Sequence, residues 1–124
     1  MEKICLDFEA ALEFLRGEPT TIEKLKWYAD REEVCMTAFS VAHLMEVIKK
    51  PDVAHAFINS VTVLPFDKKS AVLLNRLLSE ARERGQQLKV FDHLVTASIC
   101  MANEAFLFTK SPINYEGVKG LKRV

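Results

Sequence analysis

Four short apolar runs, separated by stretches with helical spacing, constrain this chain more than any other feature. They are Lys3 to Leu6, Val34 to Ala38, Val61 to Leu64 and Ala105 to Thr109. Each has the length and the β-branched or aromatic content of a strand, and each gap is long enough for one or two helices. Strands joined by helical crossovers lie parallel and are buried on both faces. The alternation therefore predicts an α/β fold with a mostly parallel central sheet, in a single domain over 1–124.

The helical stretches carry their own end signals. The first runs from Glu9 to Arg16 and is stopped by Gly17-Glu18-Pro19. Thr20 or Thr21 then serves as the cap of a second helix reaching Asp30, with Glu23 placed for a capping box. Ser40 is the expected cap of a helix reaching Lys50, and Pro51 to Asn59 forms another. Asp67 caps the longest helix, which ends at Gly85. Its inward stripe is expected to be Ala71, Leu74, Leu77, Leu78 and Ala81. A last helix covers Asp92 to Ala102, and Leu121 to Val124 returns as a short edge.

Charge excludes one class of function. Seventeen acids balance seventeen bases, so the chain has no bulk cationic surface for nucleic acid. The balance is uneven along the sequence, however. Residues 1–35 hold nine acids and five bases, and residues 36–124 hold eight acids and twelve bases. Lys110, Lys119, Lys122 and Arg123 either approach a substrate backbone or form an ordinary solvated edge.

Cys5, Cys35 and Cys100 are odd in number, widely spaced and set in apolar runs, which reads as three buried thiols in a reducing compartment. The N-terminal residues lack the apolar core of a signal peptide. The most apolar stretch, Leu94 to Phe108, is too short and too polar to span a bilayer. The expected location is cytoplasmic, with no membrane partner.

Ligands of parallel sheets bind beyond the carboxyl ends of the strands. Asp7 stands directly after the first strand, so it is either a metal ligand or the cap of the next helix.

Four segments, in order, resemble PIN-domain nucleases, most nearly the VapC-like toxins of toxin–antitoxin pairs. KICLDFEAALEFLRG resembles their first strand and helix, and VCMTAFSVAHLMEVI their second strand, cap and following helix. The stretch from Val61 to Lys110 resembles their long helix, the linker ending in an acid, the next helix and the fourth strand. INYEGVKGLKRV resembles their closing segment. The resemblance implies a three-layer α/β/α PIN-like domain. It also implies a metal-dependent endoribonuclease that uses Mg or Mn held by a small acidic cluster. Hard cations take oxygen ligands, and the ion lowers the pKa of a bound water beside the scissile phosphate.

Carried over residue by residue, Asp7 and Asp92 match the catalytic, metal-holding acids. Two further positions depart from the pattern. His43 stands where the family has glutamate, and Ser111 stands where Thr-x-Asp or Thr-x-Asn is usual, in Thr109-Lys110-Ser111. An imidazole suits Mn²⁺ or Zn²⁺ better than Mg²⁺, and a serine brings no charge. Glu9 and Glu46 are the acids placed to compensate. On a helical wheel, His43 and Glu46 lie opposite the stripe of Val41, Leu44, Met45 and Ile48, so they face either the site or solvent. His93 reads as a surface or capping contact, and His55 as structural.

Phe14 and Trp27 lie off the core stripes of the first two helices. They mark either a groove for the apolar segment of an antitoxin-type partner, or rings that pack on the crossing of the fourth helix or at a homodimer seam. Two functions follow. One is an RNA-cleaving toxin or a homologue with weakened activity. The other is a catalytically silent PIN fold acting as a protein- or RNA-binding module.

Overall fold

A computed structural model of the chain describes residues 1–85 and 90–124. The elements run β1 (Lys3–Leu6), α1 (Phe8–Leu15), α2 (Pro19–Ala29), β2 (Glu33–Thr37), α3 (Ala38–Val47) and α4 (Pro51–Ser60). They continue with β3 (Thr62–Leu64), α5 (Lys68–Glu83), α6 (Phe91–Ala102) and β4 (Phe106–Phe108), followed by a 3-10 turn at Pro112–Tyr115. All four strands are parallel, in the order β3-β2-β1-β4. Part of the expected linker before Asp92, residues 86–89, lies outside the described residues.

Strand side chains alternate between two faces, and this divides the core in two. Ile4 and Leu6 point with Met36 and Phe108 toward α1–α4, where Ala10, Ala11, Leu25, Leu44 and Phe57 meet them. Cys5, Cys35 and Leu107 point the other way, onto Leu74, Leu77 and Ala81 of α5 and Leu94, Ile99 and Cys100 of α6. The result is the expected three-layer α/β/α arrangement. All three cysteines are buried, and burial, followed by the Glu33 charge, pushes the Cys35 thiol up to about 12. No helix among the described residues is long and apolar enough to cross a membrane.

The expected strands and helices are all present, and the corrections concern their ends and faces. Glu18, rather than Thr20 or Thr21, caps α2. Pro19 occupies the first helical position, and the longer Glu18 side chain reaches the N–H groups of Thr20 and Thr21. Thr21 is instead buried, its hydroxyl directed to Glu18 and Glu13. Thr37, rather than Ser40, caps α3, because its Oγ1 accepts the Ser40 N–H at 2.9 Å. The helix ends at Val47, where Ile48 turns extended. On α5 Ala71 is exposed and Ser70 is buried in its place, taken inward by its bonds to the cap Asp67. Met45 is 46% exposed, because α3 buries only Ser40 and Leu44.

β1 lies at the centre of the function-bearing geometry. The chain passes from β1 to β2 on one side, and β4 is laid down on the other. Connections therefore diverge at the carboxyl ends of β1 and β4, which leaves a crevice between them. Asp7 and Thr109 are the residues that leave those two strands.

Candidate functional site

The crevice is a pocket of about 180 Å³ lined by Asp7, Phe8 and Glu9, by Phe39, Ser40 and His43 of α3, by Asp92, His93 and Thr96 of α6, and by Tyr115. Three helices and the closing turn thus bring residues from 7 to 115 to one opening. Asp7, Asp92, Glu9 and His43, singled out from the sequence, all line it.

Asp7 is 5% exposed and serves as the N-cap of α1. Its Oδ1 accepts the Ala10 N–H at 2.9 Å. Its Oδ2 accepts the Thr109 hydroxyl at 2.6 Å and the Tyr115 hydroxyl at 3.4 Å. Burial disfavours the charged form and pushes the carboxyl above its ordinary value, while the Thr109 and Ala10 donors pull the other way. Burial and the nearby Asp7 charge likewise push the Tyr115 phenol up, so it remains a donor.

The two altered positions have defined surroundings. The His43 ring lies flat on Phe8, with centroids 3.7 Å apart and planes 8° from parallel. Ser111 donates its hydroxyl to Glu9 Oε2 at 2.9 Å and its N–H to Thr109 Oγ1 at 3.0 Å. Asp92 is exposed in the first turn of α6. His93 sets its ring edge-on to Tyr115 at 5.3 Å.

The remaining candidates lie outside the pocket. Lys110 turns away to pair with Glu13 at 3.8 Å and Glu18 at 3.9 Å. Glu46 is exposed on α3 and does not line the pocket. Phe14 and Trp27, expected to flank one partner groove, line two different hollows. Phe14 packs on Phe57 at 5.4 Å beside Leu25, Ala29, Val34 and Val61, whereas Trp27 faces the exit of β4. Tyr115 is the site residue that sequence reasoning missed. Its one signal is that it is the single aromatic residue after Phe108.

The donor set does not fit a preformed site for Mg or Mn. Asp7, Glu9 and Asp92 are the carboxylates that line the pocket, while His43, stacked on Phe8, and Ser111, bonded to Glu9, add no negative charge to them. Among the described residues, no three His, Cys, Asp or Glu side chains come together as a metal cluster. Hard divalent ions need several convergent oxygen ligands. What the pocket offers is one buried carboxyl (Asp7) with two exposed ones (Glu9 and Asp92), two imidazoles, a phenol and aromatic walls, a surface also suited to hydrogen bonding and stacking.

No protein-family profile matches the sequence, and no curated protein matches it. Solved structures do match. VapBC2 from Rickettsia felis, bound to a DNA fragment from the promoter, superposes with a TM-score of 0.85 at 16% identity, covering 98% of this chain and 97% of that one. DNA-bound VapBC from Salmonella typhimurium gives 0.82 at 20% identity, with 100% and 98% covered. VapBC-1 from nontypeable Haemophilus influenzae gives 0.81 at 15% identity, with 98% and 96% covered.

Proposed function

We propose, from the premise that this chain has a VapC-like PIN fold, that it is the toxin-side member of an antitoxin-paired system. In this reading it keeps its protein partner and has lost metal-dependent RNA cleavage. One observation carries the loss. Thr109 and Ser111 hold the carboxylates of Asp7 and Glu9 at 2.6 and 2.9 Å, in the segment where the resembled nucleases place a further acid. A hydroxyl at position 111 satisfies an existing carboxylate and adds no charge for a divalent ion.

Retention of a partner is supported by the hollow beside Phe14. Leu25, Ala29, Val34, Phe57 and Val61 line an apolar trough of about 210 Å³ between α2 and α4. Apolar helix anchors dock in such troughs. The similar solved structures are toxin–antitoxin complexes, and an antitoxin-type protein is the occupant we assign here.

A second reading, a weakened Mg- or Mn-dependent endoribonuclease, draws on Asp7, Glu9 and Asp92 sharing one pocket with His43. One experiment separates the two. Structured RNA is incubated with the purified chain and Mg²⁺ or Mn²⁺, beside Asp7→Asn, Asp92→Asn and the double variant His43→Glu/Ser111→Asp. We expect no cleavage by the native chain above the Asp→Asn variants, and tighter Mn²⁺ binding by calorimetry only in the double variant. Native cleavage that both Asp→Asn changes abolish establishes the nuclease instead. For the partner, co-purification with the product of an adjacent antitoxin-sized reading frame should be lost in Ala29→Arg, which fills the exposed rim of the trough.

A further inference from the structure

We propose that the hollow between α2 and the exit of β4 is a separate binding site for a nucleotide, with the base held on aromatic rings and the phosphate on lysine. This cavity of about 220 Å³ is lined by Lys24, Trp27 and Tyr28 of α2, by Phe108, Thr109 and Lys110 at the β4 exit, and by Val124. It is distinct from the pocket around Asp7, and it does not depend on whether that pocket cleaves RNA.

The walls are an ordered set of rings. Trp27 is 52% exposed, although it is the largest side chain in the molecule. Tyr28 meets it edge-on at 5.1 Å and meets Phe108 edge-on at 5.8 Å. The indole is also held from outside the cavity. The Arg31 guanidinium lies 4.2 Å from the ring centroid and donates to the Trp27 carbonyl at 2.9 Å. An exposed ring fixed in this way loses little freedom when a flat ligand stacks on it. Base–aromatic stacking is tolerant of sequence, because every base presents a π-face.

The rim offers one ammonium for a phosphate, that of Lys24, since Lys110 is already taken by two carboxylates. Lys24 is exposed and makes no ion pair among the described residues, and Lys110 is fixed by Glu13 and Glu18. A lysine ammonium binds phosphate as a point charge. A carboxylate peptide would satisfy the ammonium and leave the exposed Trp27 ring without a partner, so a base joined to a phosphate matches more of the site. Thr109 lines this hollow and also donates to Asp7, so the two cavities flank a single residue.

Trp27 is the sole tryptophan of the chain, so its fluorescence reads the site directly. The full chain is titrated with AMP, adenosine, ribose 5-phosphate, a short oligoadenylate and an acidic peptide. A saturable response to AMP and the oligoadenylate is expected, at least tenfold tighter than to adenosine or ribose 5-phosphate, and weakening with added salt. Lys24→Ala should weaken AMP binding about three- to fivefold, as for the loss of one exposed charge contact. Trp27→Leu, followed by calorimetry and checked for an unchanged urea midpoint, should abolish it. The proposal is overturned by the absence of a response to AMP, by an equal response to ribose 5-phosphate, or by tighter binding of the acidic peptide. Binding that survives Trp27→Leu in a folded variant overturns it as well.

Discussion

The Thr109 hydroxyl lies 2.6 Å from Asp7 Oδ2 and joins the exits of β4 and β1 across 102 residues of sequence. The contact does two things at once. It satisfies a carboxylate that is 5% exposed, and it holds the β4 exit over the pocket. Replacing Thr109 with valine keeps the shape and removes the donor. Leaving a buried acceptor short of a partner costs roughly 1–3 kcal/mol. The urea midpoint of Thr109→Val should fall accordingly, while Thr109→Ser should stay near the native value. Equal midpoints for valine and native protein would show that the bond contributes nothing.

Asp7 itself should limit stability at neutral pH. Its folded pKa is raised above the unfolded value, so the native state binds that proton more readily than the unfolded chain does. The contribution is therefore most favourable at low pH. It is lost as pH rises from the unfolded value, about 3.9, through the raised folded value. Asp7→Asn keeps an acceptor for the Ala10 N–H and removes the buried charge. At pH 7 it should unfold at a temperature equal to or above that of the native chain, and the difference should shrink toward pH 4. A variant clearly less stable at pH 7 would contradict this.

Glu18 should behave in the opposite way. The Thr21 hydroxyl and N–H, with the Thr20 N–H and Lys110, hold its carboxyl down at about 2. The unfolded chain takes up that proton first as pH falls. The stabilisation is thus present above the unfolded value, about 4.3, and disappears on the way down to about 2. Glu18→Gln should be less stable than native at pH 7, with the two curves converging below pH 3. Denaturant titrations at both pH values test the convergence.

The cap of α3 is a further point at which the hydrogen bonds can be checked. Thr37 Oγ1 accepts the Ser40 N–H and donates to Ser40 Oγ at 3.1 Å. Thr37→Ala should therefore cost about 0.5–2 kcal/mol. Ser40→Ala leaves the accepted N–H in place and should cost less. A larger loss for Ser40 would restore serine as the cap.

The sequence carried the architecture well, because strand alternation and helix stops are local signals. Lys3–Leu6 could be read at its full length, and Asp67 as a cap, from neighbours alone. The errors arose where two local donors or acceptors compete. Thr20 and Thr21 have the usual chemistry of a cap, but Pro19 moves the helix start two or three residues earlier and Glu18 reaches over it. Candidate site residues were legible where they follow a strand or open a helix, as Asp7 and Asp92 do. Tyr115 was not, because its role depends on a closing segment folding back onto Asp7 from 108 residues away. Lys110 looked like a phosphate contact from its position after β4, but Glu13 and Glu18 from two other elements capture it.

The closing segment has one more effect. Leu107 forms a parallel bridge with Arg123, donating its N–H to Lys122 and accepting from Val124. That short pairing masks the outer side of β4. The opposite margin of the sheet is β3, with Thr62 and Val63 exposed, and among the described residues it pairs only with β2. Strand addition by another chain meets a regular strand edge at β3, whereas at β4 it would have to displace the pairing around Arg123.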